Sequence, residues 1–455
     1  PFTLRVISRS GIPVQISNIQ WPDADSSTSI ALKRDTLLSI THTVKIPGSA
    51  EYTEPYWMKY PNTNAGQFNI PNDTVLGYPE TPNALNANVA VTIGDVAFTI
   101  PVPLSFKKLD PTHGDVIQQL RIVPDASIEF VAGLSIINAD GSLQTAVRIH
   151  PNKDISDAVL EVHDNGNVSS YIKDIQLAKG IDTVITINFT AKDLEKVKSK
   201  DFYLMGGLMN NNGFNTRTQH LIQYEHLPTL QYFSESYTKI LQRNWKSTAK
   251  RIGYIDGAGD HVASILRLTG LQVDVLKAED ITTEKLKKYD AVLTGIRAIN
   301  TEKRMNYWMH VLLQYVQNGG TLVMQYNTLQ DMATTNIGPY PITLSSQRVT
   351  EEDATMTFLQ PDHKILNAPN KITQEDLKDW VQERGLYFPS KWDSKYTPLF
   401  KMNDTGEQPL EGGTLYAQYG KGHYVYTPLA FFRQLPAGNK GAIRLLINML
   451  NVGKQ

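Results

Sequence analysis

The stretch NGGTLVMQYNT, residues 318–328, joins a helix stop, a short apolar strand and a polar tip of Gln325, Tyr326 and Asn327. In one large group of α/β folds such a strand ends in a sharp turn that presents a catalytic nucleophile. An amide, a phenol and a second amide are not nucleophiles of that kind, and the chain contains no cysteine. Zero cysteines exclude disulfides, thiolate zinc sites and a thiolate nucleophile together. A Ser-His-Asp hydrolase would need G-x-S-x-G at such an elbow, and that pattern does not occur in the sequence. The tip therefore reads as a retired catalytic position that still binds.

Other polar groups are weighed the same way. DGAGDHV (256–262) has two glycines for a tight turn ahead of a helix N-terminus that would hold an anion. Val262 stands where a dinucleotide fingerprint needs its third glycine, and no Gly-Lys-Ser/Thr follows, so a structural turn is the leading reading. Asp256 and Asp260 remain weak catalytic candidates, as does His423 on a late strand directed toward the sheet's C-terminal edge. HPNKD (150–154) superficially matches a His-Pro-Asp-Asp zinc motif, but Asn152 and Lys153 replace the carboxylates and paired partner histidines are absent. EYTEPYWMKYP (51–61) offers Tyr56 and Trp57 either for a domain interface or as a platform for sugar rings. ITQEDLKDWVQERG (372–385) reads as a helix with Thr373 at its N-cap, Asp376 three residues on and Gly385 closing it. Its polar end, QERG, would line a cleft in which Arg384 grips a carboxylate or phosphate.

The elements that position these groups follow from the hydrophobic pattern. The chain has 455 residues, enough for about three domains. Its 41% hydrophobic content builds cores without covalent staples. A net charge of −1 without a basic stripe excludes the footprint of a nucleic-acid binder. No apolar run reaches the roughly 18 residues of a membrane span. Up to about residue 228 the sequence alternates in β-branched runs such as IPVQISNIQW and SLQTAVRIH, with a hairpin signal at Gly94-Asp95. This spacing predicts two tandem Ig-like β-sandwiches, residues 1–110 and 111–228, divided within the polar KKLDPTHGD (107–115). AKDLEKVKSK (191–200) reads as a short charged surface helix. An aromatic linker, 229–247, leads to strand-helix alternation over 248–455, including a long helix from a Thr301 cap to residue 318. That region predicts a flavodoxin- or amidotransferase-like α/β domain with a mostly parallel sheet, whose ligands bind beyond the strand C-termini. Arg297, Asn300, Gln325, Tyr326, Asn327 and Arg384 are the ligand-binding candidates there.

Several stretches carry a family resemblance: YDAVLTGIRAIN (289–300), GGTLVMQYNT (319–328), DWVQERGLYFPSKWD (379–393), GPYPITL (338–344), PDHKILNAPNKIT (361–373) and YGKGHYVYTPLAFFRQLPAG (419–438). With the earlier PYWM (55–58) and LGYPETPNAL (76–85), they resemble the C-terminal region of large PIG-L/LmbE-type deacetylases of Bacteroidetes-like bacteria. The resemblance implies an N-terminal zinc domain, outside this chain, that removes acetyl groups from N-acetylglucosamine-type substrates. Two β-sandwich segments and a domain similar to class I glutamine amidotransferases and ThuA-like proteins would follow it. The zinc ligands have no counterpart here, so no cofactor is expected in this chain. The sequence starts at Pro1 and reads as part of a longer polypeptide. The implied setting is periplasmic or secreted. The implied role is a non-catalytic accessory region whose partners are the zinc domain and a glycan. The alternatives are a binding or hydrolytic site retained in the α/β domain, and a pure scaffold.

Overall fold

Antiparallel sheets dominate the first half of the chain. The computed structural model describes residues 1–46, 50–61, 66–70, 73–83, 85–164, 166, 168–197 and 201–454, and its secondary structure is mostly β, distributed over several sheets. Residues 24–32, 14–21, 86–93 and 96–103 form a four-stranded sheet in that spatial order. Phe2–Ile7 pairs with Leu37–His42 as a second layer. A register shift between Ile16 and Asn18 moves the inward positions of one strand from Ile16 to Ile19 and Trp21. These meet Ala87, Val89, Val91 and Leu4 in one core. Gly94, with φ 59°, turns the hairpin expected at Gly94-Asp95. Val96, Phe98 and Ile100 lie opposite Ile93, Val91 and Val89, so they share the core face. They are nevertheless 56%, 48% and 46% exposed, so this edge of the apolar face is left uncovered.

The expected division within KKLDPTHGD falls in the middle of a hairpin, Ser105–Asp110 paired with Gly114–Gln119. The next core begins at Ala126. Its layers are a three-stranded sheet (183–189, 143–151, 126–130) and a larger one running 134–136, 237–241, 202–210, 155–163 and 169–177. Part of the expected linker is therefore sheet: Leu230–Glu235 and Tyr237–Leu241 are strands, and Ile240 is fully buried in the core. Alternating apolar residues there satisfy both backbone pairing and burial, which a free linker does not need. The charged helix expected over 191–200 reduces to a 3-10 turn at Glu195–Val197, and residues 198–200 lie outside the described residues.

A seven-stranded sheet follows: β1 (Arg251–Ile255), β2 (Gln272–Val275), β3 (Ala291–Thr294), β4 (Thr321–Gln325), β5 (Thr397–Pro398), β6 (Leu415–Tyr419) and β7 (Gly422–Thr427). Its order is β2-β1-β3-β4-β7-β6-β5; the first five are parallel and the last two antiparallel. Every residue of β3 and β4 is buried, as a parallel sheet covered on both faces requires. One face sets Ile252, Tyr254, Leu293, Val323 and Val425 against α1 (Val262–Leu268) and the final helix, α7 (Lys440–Asn451). The other sets Val292, Leu322, Met324, Tyr424 and Tyr426 against α2 (Thr283–Leu286) and α4 (Met305–Gln317).

Two helices differ from expectation. Thr301 ends the short α3 (Ala298–Thr301) instead of capping a long helix, because Glu302 is extended and breaks the run. The Thr373–Asp376 capping box forms, but only a 3-10 turn, Gln374–Leu377, follows it. Asp379 and Gln382 then take positive φ, which ends helical geometry well before Gly385.

Buried amides fix α7. The Asn451 Oδ1 accepts hydrogen bonds from the backbone N–H groups of Thr248 (2.8 Å) and Ala249 (2.7 Å), just ahead of β1. The Asn448 side chain donates to the carbonyls of Ile365, in the short α5 (Lys364–Asn367), and Asn370. Asn451→Ala strands the buried Ala249 N–H and removes the partner of the exposed Thr248 N–H, so urea unfolding should show a loss of roughly 2 kcal/mol. Loss of less than about 0.5 kcal/mol, the size of an ordinary surface substitution, would show that Asn451 does not hold this joint.

Candidate functional site

The parallel strands end together on one edge, and four segments beyond their C-termini converge there in one aromatic and charged cluster, the mouth of the sheet. The turn after β4 supplies Tyr326, buried at 6% exposure. The turn after β3 supplies Arg297, whose backbone N–H donates to the Tyr326 carbonyl at 2.8 Å. The turn after β7 leads into α6 (Phe431–Gln434), which carries Phe432 and Arg433. The long excursion between β4 and β7 brings in Gln382, Glu383 and Tyr387. It is pinned over the end of β7 by bonds from Leu386 N–H to the Pro428 carbonyl and from Ala430 N–H to the Arg384 carbonyl.

At this mouth the Tyr326 and Tyr387 rings lie nearly parallel, with centroids 5.9 Å apart and planes 6° from each other. Phe432 meets Tyr326 at 5.6 Å. Beside them the Arg433 Nε donates to the Glu383 carboxylate at 2.5 Å, and the Arg433 guanidinium lies 4.8 Å from the Phe432 ring centre. Arg433 also donates to the Gln382 side chain. Only 8% of the Glu383 side chain is exposed. Burial raises the Tyr326 hydroxyl to about 12, with Arg297 and Arg433 opposing that rise and Glu383 adding to it. Arg297, Gln382 and Tyr387 all have positive φ. Such backbone is uncommon outside glycine, and it gathers where function over-determines geometry.

The residues proposed from sequence divide into three groups. Arg297 and Tyr326 belong to the mouth; Arg297 is exposed, and its side chain has no hydrogen bond or ion pair among the described residues. Asn300, Gln325, Asn327 and Asp260 work on the frame. Asn300 clips the next loop through the Thr328 and Gln330 carbonyls and the Thr328 N–H. Gln325 donates to the Thr294 carbonyl, while Asn327 accepts from the Ile299 N–H. Asp260 accepts from the Tyr254 hydroxyl and from the N–H groups of Val262 and Ile296. Asp256 is exposed on the turn that packs beneath Ile296.

Arg384 and His423 lie elsewhere. Arg384 is buried, donates to the Leu377 carbonyl and stacks over Trp380, so it does not grip an anion in a cleft. Glu383 is also buried, but its carboxylate meets Arg433 at the mouth while Arg384 turns to Leu377 and Trp380. His423 pairs in parallel register with Thr321, the first residue of β4, which places it at the opposite, N-terminal edge of the sheet. There it meets the Tyr416 hydroxyl at 2.9 Å, and His363 packs on the same tyrosine.

Tyr56 and Trp57 contact each other edge to face, and the Tyr56 hydroxyl donates to the Tyr78 carbonyl. Their segment is an interface: Gln231 donates to the Thr53 carbonyl, and Glu54 accepts from the Phe233 N–H. Among the described residues no group of three or more His, Asp or Glu is placed to hold a metal. Sequence reasoning placed Glu383 only within the cleft-lining QERG, with the binding role given to Arg384, and missed Tyr387, Phe432 and Arg433 as site residues. The available signal was LAFFRQ immediately after the last parallel strand, a position where parallel sheets place ligand-contacting loops.

No family model and no curated protein matches the sequence. Among solved structures, the exo-β-1,4-mannosidase Op5Man5 from Opitutaceae bacterium strain TAV5 is similar over 44% of this chain and 35% of its own, at 12% identity and a TM-score of 0.27. The cycloisomaltooligosaccharide glucanotransferase from Paenibacillus sp. is similar over 44% and 27%, at 8% identity and a TM-score of 0.18. The chain thus spans about a third or less of either protein, and neither likeness carries an argument about fold or function.

Two outcomes test this geometry. A double-mutant cycle of Glu383→Gln and Arg433→Met should give a coupling of about 1–2 kcal/mol, held below a fully buried pair by the exposure of Arg433. A coupling near zero would show that the pair is not formed. Burial and the nearby Lys364 charge push His423 down to about 4, and burial first, then Lys364 and His423, pushes His363 to the same value. The unfolded chain binds these protons near 6.5, so the fold resists them and stability is lost as pH falls from about 6.5 toward 4. In pH-dependent unfolding, His363→Gln and His423→Gln should each flatten that slope; an unchanged slope would place these histidines in water.

Proposed function

We propose that the chain is a glycan-binding accessory unit of a PIG-L/LmbE-type de-N-acetylase, with its binding site at the Tyr326–Tyr387–Phe432 mouth. The observation that carries this is the nearly parallel tyrosine pair beside the ion pair of buried Glu383 with partly exposed Arg433 at the strand C-termini. Aromatic faces match the apolar faces of sugar rings, and charged donors and acceptors make the stronger bonds to hydroxyl or acetamido groups. Arg297 brings a further donor fork.

The wider reading has separate support. The parallel order β2-β1-β3-β4-β7 has the 2-1-3-4-5 pattern of flavodoxin-like sheets, in which ligands sit beyond the strand C-termini. A flavodoxin- or amidotransferase-like domain behind two Ig-like sandwiches is therefore the arrangement we propose. The order of motifs supports the family, and with it a secreted or periplasmic setting and zinc chemistry in a separate N-terminal domain. A scaffold role is the second reading, favoured by the uncovered Val96, Phe98 and Ile100 edge, on which that zinc domain would dock.

Calorimetric titration with N-acetylglucosamine and its β-1,4 oligomers tests the first reading. Binding should appear, and Tyr387→Ala or Arg297→Ala should weaken it about tenfold, the effect of a stacking or charged contact near 1.4 kcal/mol. Absence of binding, or affinity unchanged in both variants, would remove this mouth as a glycan site. Acetate release by this chain, with or without added zinc, would overturn the non-catalytic part.

A further inference from the structure

We propose a second binding site, for an anionic group, in the cleft where residues 243–246, the loop 369–371 and α7 meet. The cleft has a volume of about 510 Å³ and is lined by Arg243, Lys246, Lys371 and Arg444, with Trp245 and Asn370 among its other walls. Four cations and no carboxylate line it, in a chain whose net charge is −1. One acid stands close: Asp376, 3.3 Å from the Arg444 guanidinium. Gathered like charges repel, and a bound anion relieves that repulsion most effectively where solvent is partly excluded.

The walls are already in place. Asn370 accepts from the Lys246 N–H at 2.8 Å and donates to the Lys246 carbonyl at 3.0 Å. Asn448 on α7 accepts from both Asn370 nitrogens, so three separate segments are locked around the cleft. Arg444 is oriented by its bond to the Lys371 carbonyl at 2.7 Å. The Nε–H groups of Arg243 and Arg444 are buried without a partner, beneath the surface that a ligand would reach. The side chains of Arg243, Lys246 and Lys371 have no ion pair among the described residues. Preorganised walls with spare donors suit a compact anion, because little ordering remains to be done on binding. The chemistry is that of a phosphate or carboxylate presented by a small molecule or an acidic sugar. Buried Trp245 and half-buried Pro369 add apolar surface for the body of such a ligand.

The test uses the full chain, titrated with inorganic phosphate, glucuronate and glucose, with sodium chloride at matched ionic strength. Thermal unfolding and calorimetry are read together. A saturable response to phosphate, glucuronate or both is expected, with none to glucose or chloride. A response to phosphate alone assigns a phosphoryl ligand; a response to glucuronate alone assigns a carboxylate. The double variant Arg243→Gln/Lys371→Gln should weaken binding about tenfold or more while its circular dichroism stays that of the parent. Lys246→Glu, a charge reversal at an exposed position, should weaken it as well and guards against misfolding of the first variant. No saturable response to either anion, or one unchanged in both variants, overturns the site.

Discussion

One buried amide holds the α/β body together. Asn451, in the last turn of the last helix, satisfies the backbone N–H groups of Thr248 and Ala249 just before the first parallel strand begins. A buried amide is costly unless its polar atoms find partners, and here the donating nitrogen is also used, on Ser247 and the Ile447 carbonyl. The two ends of this region are thereby fixed against each other. Since β1 templates both β2 and β3, the alignment of strand ends on which the mouth rests begins at this contact. Asn448 and Asn370 extend the same logic to the connecting segment, as a second buried amide pair on the same helix.

The mouth itself is a product of order in space differing from order in sequence. β4 and β7 are neighbours in the sheet, yet almost a hundred residues separate them in the chain. That excursion returns across the strand ends before it rejoins the sheet. Its polar tip, Gln382–Glu383, is held near Arg433 by the bonds of the Arg384 carbonyl and the Leu386 N–H to the segment just past β7. Positive φ at Gln382 and Tyr387 is what this path demands of non-glycine residues.

Legibility in the sequence follows from the range of the forces involved. The parallel strands were visible because AVLT and TLVMQ are buried on both faces and must be apolar throughout. Gly94-Asp95 was visible because a tight turn is a local event. Arg297 and Tyr326 followed from the rule that ligand groups sit beyond such strands. Glu383 and Arg433 were not visible as a pair, since 50 residues separate them and nothing local ties one to the other. Arg384 was misread for a related reason: QERG carries three polar residues in a row, and only tertiary contacts decide which partner each one meets. The helix expected over 372–385 had a correct cap and failed after it, because tertiary bonds to Asp379 and Gln382 outweighed helix propensity.

The parallel register that places His423 beside Thr321 separates two kinds of chemistry along one strand. Five residues of β4 span about 16 Å at roughly 3.3 Å per residue. That is far beyond the reach of a hydrogen bond or ion pair. The histidine edge and the aromatic edge therefore share no direct contact. Substitutions at the two edges should therefore add their free energies independently, so the acid sensitivity set by the histidines is separable from the chemistry of the aromatic edge.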